Sequence, residues 1–349
     1  ADARGAVGRT LASARRATGE ARDRRTGAPT TEDPTVRMVV AGEALVDLVP
    51  AAAGHLRPLP GGSPLNVAVG LGRLGLPTGY LGPLSPDAFG DLLAARLADA
   101  GVTAVLPGRA SAPTTLAMVH LDAAGVASYS FYLDGTSAVG LDAADVAALP
   151  PPVAAAPLHV SLGAVTLATP GTGATLSALL ADAGDRPFTS LDPNVRPAVI
   201  PDLAAARAAL DAAASGVDLV KVSDEDLRVL HPGADPLAAA ARWAADGTLV
   251  VVTRGPDGAV ALRGDAVLAE VPSPRVDVVD TVGAGDAFTA GLLAALDAGG
   301  LLDRGTLARA DAGTIEVAVR AAVRTAAITC TRPGADPPHR DELTEVHDA

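Results

Sequence analysis

The sequence is poor in aromatic residues, cysteine and lysine. Aromatic residues make up 2% of the 349-residue chain, although 49% of it is hydrophobic, so the core must be built from Ala, Val and Leu. Cys330 is the only cysteine, which excludes an intramolecular disulfide or a cysteine metal cluster and fits a reducing cytoplasm. Lys221 is the only lysine and is not part of a G-K-[ST] sequence, which excludes a Walker-type phosphate loop.

The chain also lacks an excess of positive charge and any long apolar run. Its formal net charge of −13 argues against a nucleic-acid-binding surface, which would show a basic patch. No apolar run approaches the roughly 18 residues that a membrane span needs. The six histidines have no spacing typical of a metal triad or a Ser-His-Asp relay. We therefore expect neither nucleic acid nor a membrane as a partner.

The first part of the chain differs in composition from the rest. Residues 1–36 are rich in arginine, contain no aromatic residue and end in a Pro/Thr-rich stretch. They lack the apolar core of a secretory signal, and their acidic residues argue against a transit peptide. We expect residues 1–36 to be a disordered tail or an extension outside the native protein. The last residues, 341–349, are expected to form a short tail.

From about residue 36 onward, strand and helix patterns alternate, which predicts a mostly parallel sheet covered on both faces. Strands are predicted at Val36–Val40, Thr78–Leu81, Leu158–Ser161, Phe188–Leu191, Val217–Val222 and Leu249–Thr253, and helices at Asp87–Ala100, Gly173–Ala183, Leu203–Ala214, Asp224–Leu230, Pro236–Ala245, Ala284–Leu296 and Thr314–Thr329. The alternation over Thr114–Ser130, with a turn at Asp122–Gly125, predicts an antiparallel hairpin that projects as a small lid. A second hairpin is predicted over Ala259–Val271.

The most informative stretch of the sequence is Asp280–Phe288. It reads D-T-V-G-A-G-D-A-F and leads into the Ala/Leu-rich helix. Gly283 and Gly285 let the backbone turn tightly where that helix begins. The first turn of a helix carries unpaired N–H groups and the positive end of the dipole, which suits an anion. Asp286 lies in this turn, and we interpret it as a catalytic base beside a phosphoryl group.

Polar residues follow three further strands at the edge where open α/β sheets bind ligands. The sequences are D-P-N-V-R-P, K-V-S-D-E-D and T-R-G-P-D-G. They contain Asp192, Asn194 and Arg196; Lys221, Ser223 and Asp226; and Thr253, Arg254, Gly255 and Gly258. Each alone is a weak signal because carboxylates after strands also cap helices. Together with the glycine turn they indicate a magnesium and phosphate site rather than hydride transfer or acyl chemistry.

A glycine-rich segment near the beginning of the domain predicts a second binding element. Gly61 and Gly62 allow a ligand to approach the backbone, and Asn66 lies one turn into the following helix. Asp47, after the first strand, is a candidate polar contact or a solvated loop carboxylate. Gly70, Gly72 and Gly75 match G-x-G-x-x-G but occur late in the helix, not directly after a strand, so we interpret them as helix-packing residues.

The motifs together resemble those of the ribokinase-like, or PfkB-type, carbohydrate kinase family over residues 37–340. The D-T-V-G-A-G-D-A-F stretch matches the C-terminal signature of that family without departure, and Gly61-Gly62 with Asn66 resembles its sugar-binding signature. A-G-E-A-L-V-D, D-P-N-V-R-P and K-V-S-D-E-D-L look closest to the fructokinase branch. The resemblance implies a three-layer α/β/α Rossmann-like domain, with a β lid from about 46–60 and 113–135, and transfer of the ATP γ-phosphoryl group to a sugar hydroxyl.

The resemblance also implies roles for individual residues. Asp286 would be the base, and the N–H groups of Gly283, Ala284 and Gly285 would form an anion hole. The other implied roles divide into three groups. Asp47, Gly61, Gly62, Asn66 and Arg196 would bind the sugar; Ser223, Thr253, Arg254, Gly255 and Gly258 would border the nucleotide; and Asp280, Val282 and Gly334 would surround a monovalent cation such as K⁺.

This sequence departs from the family pattern at the magnesium motif. The N-x-x-E of the family appears here as Ser223 to Asp226, so Asp226 is the residue to which a Mg²⁺ role carries over. Lids of this kind can pair between subunits, which makes a homodimer through the lid an expectation by analogy.

Several functions are compatible with these residues. The first is phosphorylation of fructose or a related ketose. A 2-keto-3-deoxygluconate kinase would carry an arginine near Tyr132, where this chain has Leu133 and Asp134. A ribokinase or a nucleoside kinase of the same family also fits. A non-catalytic sugar sensor is a fourth alternative, against which the intact Asp286 argues.

Overall fold

The computed structural model describes residues 36–121, 127–163, 169–181 and 186–343. The predicted N-terminal extension, apart from residue 36, lies outside these ranges, as do the predicted hairpin turn at 122–125 and residues 344–349 of the predicted tail. No helix within the described ranges is both long and apolar enough to cross a membrane.

Thirteen strands are present in the described residues. They are β1 Met38–Ala41, β2 Leu45–Pro50, β3 Leu56–Gly61, β4 Thr78–Leu81, β5 Thr103–Ala104, β6 Leu116–Leu121, β7 Ala127–Tyr132, β8 Leu158–Ser161, β9 Thr189–Asp192, β10 Leu219–Ser223, β11 Leu249–Thr253, β12 Ala259–Arg263 and β13 Ala266–Val271. The helices in the same ranges are α1 Ser63–Arg73, α2 Ala88–Asp99, α3 Ala143–Ala147, α4 Pro151–Ala154, α5 Pro170–Ala181, α6 Leu203–Ala214, α7 Asp224–Leu230, α8 Pro236–Ala244, α9 Ala284–Ala298, α10 Arg304–Arg309 and α11 Ala312–Cys330.

Nine strands form the central sheet in the order β13-β12-β11-β10-β9-β8-β1-β4-β5. The pairs from β11 through β5 are all parallel, and β12 and β13 add an antiparallel hairpin at one edge. Parallel strands need helical crossovers, which is why helices cover both faces. The predicted three-layer α/β/α architecture is confirmed.

Alternate residues of the central strands face two separate apolar layers. In β1, Met38 and Val40 pack with α1, α9 and α11, whereas Val39 and Ala41 pack with the helices of the opposite face. The predicted packing role of Gly70 is also confirmed, since a Cβ there would lie 2.6 Å from Ala290 Cβ of α9. This close approach brings α1 against α9, the two helices that build the site.

A four-stranded sheet in the order β3-β2-β6-β7 stands apart from the central sheet. β2 pairs with β3 antiparallel and with β6 parallel, and β6 pairs with β7 antiparallel. The predicted hairpin over Thr114–Ser130 is thus present as β6 and β7. The chain enters this sheet directly after β1, so its residues are delivered to the carboxyl end of the central strands.

Candidate active site

The site lies where the strand order of the central sheet reverses. From β1 the sheet continues to β4 and β5 on one side and to β8 through β11 on the other. In open α/β sheets the crossover helices diverge at such a point, and the expected crevice lies here at the carboxyl ends of β1 and β8. Ser63, the first residue of α1, reaches this point, with its Oγ 3.5 Å from Ser161 Oγ at the end of β8.

Asp286 is held at this crevice by two side chains of α1. Ser63 Oγ donates to Asp286 Oδ1 at 2.7 Å, and Asn66 Nδ2 donates to Asp286 Oδ2 at 2.9 Å. Positions 63 and 66 are three residues apart, so both side chains project from the same face of the helix. The carboxylate is therefore oriented before any ligand arrives, and Asn66, predicted to contact the sugar, donates a hydrogen bond from its amide nitrogen to Asp286.

The pKa of Asp286 is raised above its ordinary value by burial, the largest influence. The hydrogen bonds from Ser63 and Asn66 act in the opposite direction, Asp192 raises the pKa further, and Lys221 lowers it. A carboxylate with a raised pKa is a stronger base than one in water, while its hydrogen bonds keep it available as an anion.

The backbone turn before Asp286 follows from its glycines. Gly283, immediately before α9, has a φ of +75°, in the left-handed region that favours glycine. Ala284 N–H donates to the Thr281 carbonyl oxygen at 3.2 Å. For the Ala284 N–H to take part in the predicted anion hole of Gly283, Ala284 and Gly285, this hydrogen bond has to break when an anion binds.

The four-stranded sheet places Asp47 above the crevice. Its carboxylate packs against Gly61 on the neighbouring strand β3, diagonal to its register partner Leu59, so closely that a side chain at position 61 would collide with it. Burial raises the pKa of Asp47 to about 6. Gly62 follows at the N-cap of α1 with a φ of +100°. Asp47, Gly61, Gly62 and Asn66 are thus brought to one region, as the sugar-binding prediction requires.

Tyr129 on β7 was not among the predicted site residues. Burial raises the pKa of its phenol, Asp47 and Asp280 raise it further, and the Arg196 guanidinium lowers it. The Tyr129 phenol is thus within electrostatic range of Asp47, Arg196 and Asp280, although those residues are far apart in sequence. Arg196 is exposed, and its guanidinium donates to the Val195 carbonyl oxygen at 2.9 Å.

The predicted nucleotide residues line the neighbouring part of the same sheet edge. Ser223 and Thr253 end adjacent parallel strands and are direct partners across β10 and β11. Gly255 and Gly258 flank a short 3₁₀ turn after β11. The Arg254 side chain is bound to β13, because its Nη2 donates a hydrogen bond to Glu270 Oε1 at 2.8 Å.

Asp226, to which a magnesium role was carried over, is buried behind the edge. Its Oδ1 accepts the Val195 N–H at 3.0 Å, and its own N–H donates to Ser223 Oγ at 3.0 Å. Burial and, second, Asp192 raise its pKa. Among the residues that the structure describes, no three His, Cys, Asp or Glu side chains are grouped to hold a metal.

Asp280 joins the glycine turn to the C-terminal loop. Its Oδ1 accepts the Val282 N–H at 3.0 Å and its Oδ2 accepts the Gly334 N–H at 2.7 Å. The three residues predicted around a monovalent cation are therefore adjacent. The Asp280 carboxylate itself is committed to backbone amides, so a cation at this place would depend on carbonyl oxygens.

Ser63 and the pair Lys221–Asp192 are further features that sequence reasoning left without a role. Ser63 directly follows Gly62 and shares a helix face with Asn66, a spacing that could have suggested it. Lys221 Nζ lies 3.1 Å from Asp192 Oδ2, and both side chains are buried. Their pairing joins β9 to β10, which only strand order could reveal.

Comparisons with known proteins show the family of the chain. Residues 37–342 match the pfkB family carbohydrate kinase model. A fructokinase from Rhizobium leguminosarum bv. trifolii is 38% identical over 279 residues, which cover 78% of this chain and 84% of the relative.

Solved structures of two fructokinases share the fold. The enzyme from Xylella fastidiosa with bound ATP has a TM-score of 0.79 and 30% identity, covering 88% of this chain and 97% of the other. The enzyme from Vibrio cholerae O395, bound to fructose, ADP and a calcium ion, has a TM-score of 0.74 and 27% identity, covering 89% and 98%. The chain therefore belongs to the pfkB family of carbohydrate kinases, enzymes that transfer a phosphoryl group to an alcohol.

Proposed function

We propose that this sugar kinase is an ATP-dependent fructokinase in which Asp286 is the general base. The observation that carries the proposal is the carboxylate of Asp286, oriented by Ser63 and Asn66 at the amino end of α9. The similarity to fructokinases, including one solved with ATP and one with fructose and ADP, supports the substrates.

In the proposed reaction, a sugar hydroxyl loses its proton to Asp286 and its oxygen forms a bond to the γ-phosphorus of ATP. The bond from that phosphorus to the bridging oxygen breaks, and ADP leaves with the electron pair. Phosphoryl transfer depends mainly on positioning and charge neutralisation. The N–H groups of the Gly283–Gly285 turn would stabilise the transferring group, since backbone donors at a helix start need little reorganisation.

Metal ions enter this proposal through the phosphates. When bound, Mg²⁺ supplies neutralisation of phosphate charge, and Asp226 is the residue that would help to hold it. The loop around Asp280, Val282 and Gly334 is the place where K⁺ would act, by stabilising the turn that carries the anion hole.

The four-stranded sheet would act as a lid. Asp47 and Tyr129 would contact sugar hydroxyls from above, opposite Asp286, and exclude water from the transferring phosphoryl group. A homodimer through the edges of this sheet remains a prediction by analogy, and sedimentation equilibrium would test it.

A coupled ADP-release assay over a sugar panel tests the proposal. The panel should contain fructose, ribose, a nucleoside and 2-keto-3-deoxygluconate, with Mg²⁺ present and with K⁺ present or absent. We expect the highest kcat/KM with fructose. A higher value with the acidic sugar would replace the proposed substrate by 2-keto-3-deoxygluconate, and no turnover with any sugar would support the sensor alternative.

A further inference from the structure

The only lysine of the chain lies beneath the glycine turn that precedes Asp286. Lys221 is the third residue of β10, and its neighbours Val220 and Val222 face the apolar layer on the other side of the sheet. Lys221 therefore projects toward α9. A Cβ at Gly285 would lie only 3.2 Å from Lys221 Nζ. The ammonium group thus lies close to the residue directly before the proposed base.

The Lys221 ammonium is tied to α9 through Asp192. Asp192 Oδ2 accepts a hydrogen bond from Lys221 Nζ at 3.1 Å and lies 3.3 Å from Thr289 Oγ1. The same hydroxyl is 3.1 Å from the Gly285 carbonyl oxygen. Strands β9 and β10 are thereby linked to the first turn of α9 by polar contacts that surround position 285.

These residues belong to a polar stripe on one face of the sheet. His159, Ser161, Ser190, Asp192 and Lys221 are buried at alternate positions of β8, β9 and β10, on the side of α9. His159 and Ser190 are hydrogen bonded at 2.9 Å. Apart from Thr189, the opposite side of the same three strands is apolar. The stripe is therefore specific to the layer beneath the proposed base.

Stability does not account for the buried ion pair. Moving an ammonium group and a carboxylate out of water costs several kcal/mol per ion, and well-packed apolar residues at such places are often as stable or more stable. Leu219, two residues before Lys221 on the same face of β10, is buried in the apolar layer of that face. The pair is therefore better explained by the charges nearby.

We propose that Lys221 is a positioning residue for phosphoryl transfer, whose ammonium group lies behind the glycine turn and balances the negative charge of Asp286. This inference rests on the proposed role of Asp286 as base. Without the ammonium group, Asp192, Asp226 and Asp286 would form a group of carboxylates with no buried cation among them, at the place where phosphate charge arrives.

The charges that face the two groups support this arrangement. Asp192, Asp226 and Asp286 together raise the pKa of Lys221, in spite of its burial, while Lys221 lowers the pKa of Asp286 and of His159 on β8. The ammonium form is thus stabilised. Around Asp286, the further influences are Ser63 and Asn66 from α1 and Asp192 from β9.

Two variants isolate the charge of Lys221. Asp192→Asn leaves the ammonium group unopposed by its partner, and Asp192→Asn with Lys221→Met removes both charges of the pair. Lys221→Met alone is avoided because it leaves Asp192 buried without a cation. The measurement is the pH profile of kcat/KM for ATP. It is made at saturating sugar, so that Asp47, which the bound sugar already covers, does not contribute to the profile.

We expect the acidic limb of the single variant to lie about one pH unit below that of the double variant. We also expect the kcat of the double variant to be roughly tenfold lower than that of the single variant, and its KM values for both substrates to lie within about threefold of those of the single variant. Coincident acidic limbs in the two folded variants would overturn the proposal. Arg186→Met is the matched control, since it removes another buried cation, at the amino-terminal edge of the sheet; it should lower Tm without moving the limb.

A second measurement needs neither activity nor a Lys221 variant. Incorporation of [¹³Cε]lysine labels a single side chain in this protein, because the chain contains one lysine. We expect one ¹³Cε signal that titrates above the ordinary lysine range in the folded protein and that shifts in Asp286→Asn. A signal that titrates at the ordinary lysine pKa of about 10.4 and is unchanged in Asp286→Asn would overturn the proposal. Absence of kinase activity in the unmodified protein would instead refute the proposed function.

Discussion

Two half-buried carboxylates, Asp286 on the central domain and Asp47 on the four-stranded sheet, show how differently the two regions are built. Asp286 accepts two hydrogen bonds from α1 and has a buried ammonium group behind it. Asp47 packs on Gly61, and burial alone accounts for its raised pKa of about 6.

The difference in surroundings corresponds to the different tasks that we propose for the two carboxylates. A base must keep one orientation and one charge state while the reaction proceeds, which its fixed partners ensure. A carboxylate that binds sugar hydroxyls needs free lone pairs until the sugar supplies the donors. The negative charge of Asp47 is thus poorly compensated without ligand, and we expect its hydrogen bonds to come from the substrate.

The largest expected effect is on the base. Asp286→Asn keeps the hydrogen-bond geometry in part but removes the proton acceptor, so we expect kcat to fall on the order of 10²- to 10⁴-fold. The coupled ADP assay measures this, and thermal unfolding and ATP binding are the controls. Turnover near that of the unmodified protein would contradict the role of Asp286.

Ser63→Ala should have the next largest effect. A hydrogen bond to a charged group contributes roughly 1.5–3 kcal/mol, so we expect kcat to fall about 10- to 100-fold. Because this bond lowers the pKa of Asp286, its loss should move the acidic limb of the kcat profile to higher pH. Ser63→Thr keeps the hydroxyl and should restore most of the rate; equal defects in both variants would argue for a packing effect.

Asp47→Asn should act on sugar binding and not on the chemical step. We expect the sugar KM to rise about tenfold at pH 7.5, where Asp47 is ionised, with kcat little changed. In the unmodified protein, the sugar KM should rise as the pH falls through about 6, and the variant should lack this dependence. A large fall in kcat with unchanged KM would refute the division of tasks.

The same substitution should stabilise the protein in a defined pH range. Because the folded-state pKa of Asp47 is raised from 3.8 to about 6, the ionised group destabilises the fold above pH 6, and this penalty is absent below the unfolded-state pKa. After allowance for solvent screening, we expect Asp47→Asn to gain about 1 kcal/mol at pH 7.5. Urea unfolding at pH 7.5 and pH 3.5 measures the difference, and an equal effect at both values would contradict it.

Tyr129→Phe should have the smallest effect. It removes one neutral hydroxyl at the lid, so we expect the sugar KM to rise about threefold and kcat to stay within about twofold. Comparison of ADP release with sugar phosphate formation would detect any uncoupled ATP hydrolysis. A loss as large as that of Asp47→Asn would place the main lid contact at Tyr129.

Local patterns in the sequence were sufficient for much of the fold. The strands Leu158–Ser161 and Leu249–Thr253 have the bounds that were predicted for them, because buried parallel strands are short apolar runs between turn residues. The Asp280–Phe288 stretch was identified as a candidate site from its own residues, without knowledge of their neighbours in space. The short helices α3, α4 and α10 were not predicted, since Ala-rich and Pro-containing segments give little periodicity.

The partners of the site residues could not be found in this way. Ser63 and Asp286 are separated by 223 positions, and the contact exists because α1 packs on α9 at Gly70. Tyr129 on β7 and Asp47 on β2 belong to one sheet only because β6 pairs with both strands, parallel to β2 and antiparallel to β7. Such pairings depend on strand order and helix packing, which no local pattern encodes.

By itself, then, the sequence determined the family, the layered α/β architecture and the position of Asp286 in a glycine turn, because each follows from local residue order. The tertiary structure decided what surrounds that carboxylate: two donors from α1 and the ammonium group of Lys221 behind Gly285. The physical reason is that hydrogen bonds and charges act over a few ångströms of space. Those distances are set by which strands are neighbours, whatever their separation along the chain.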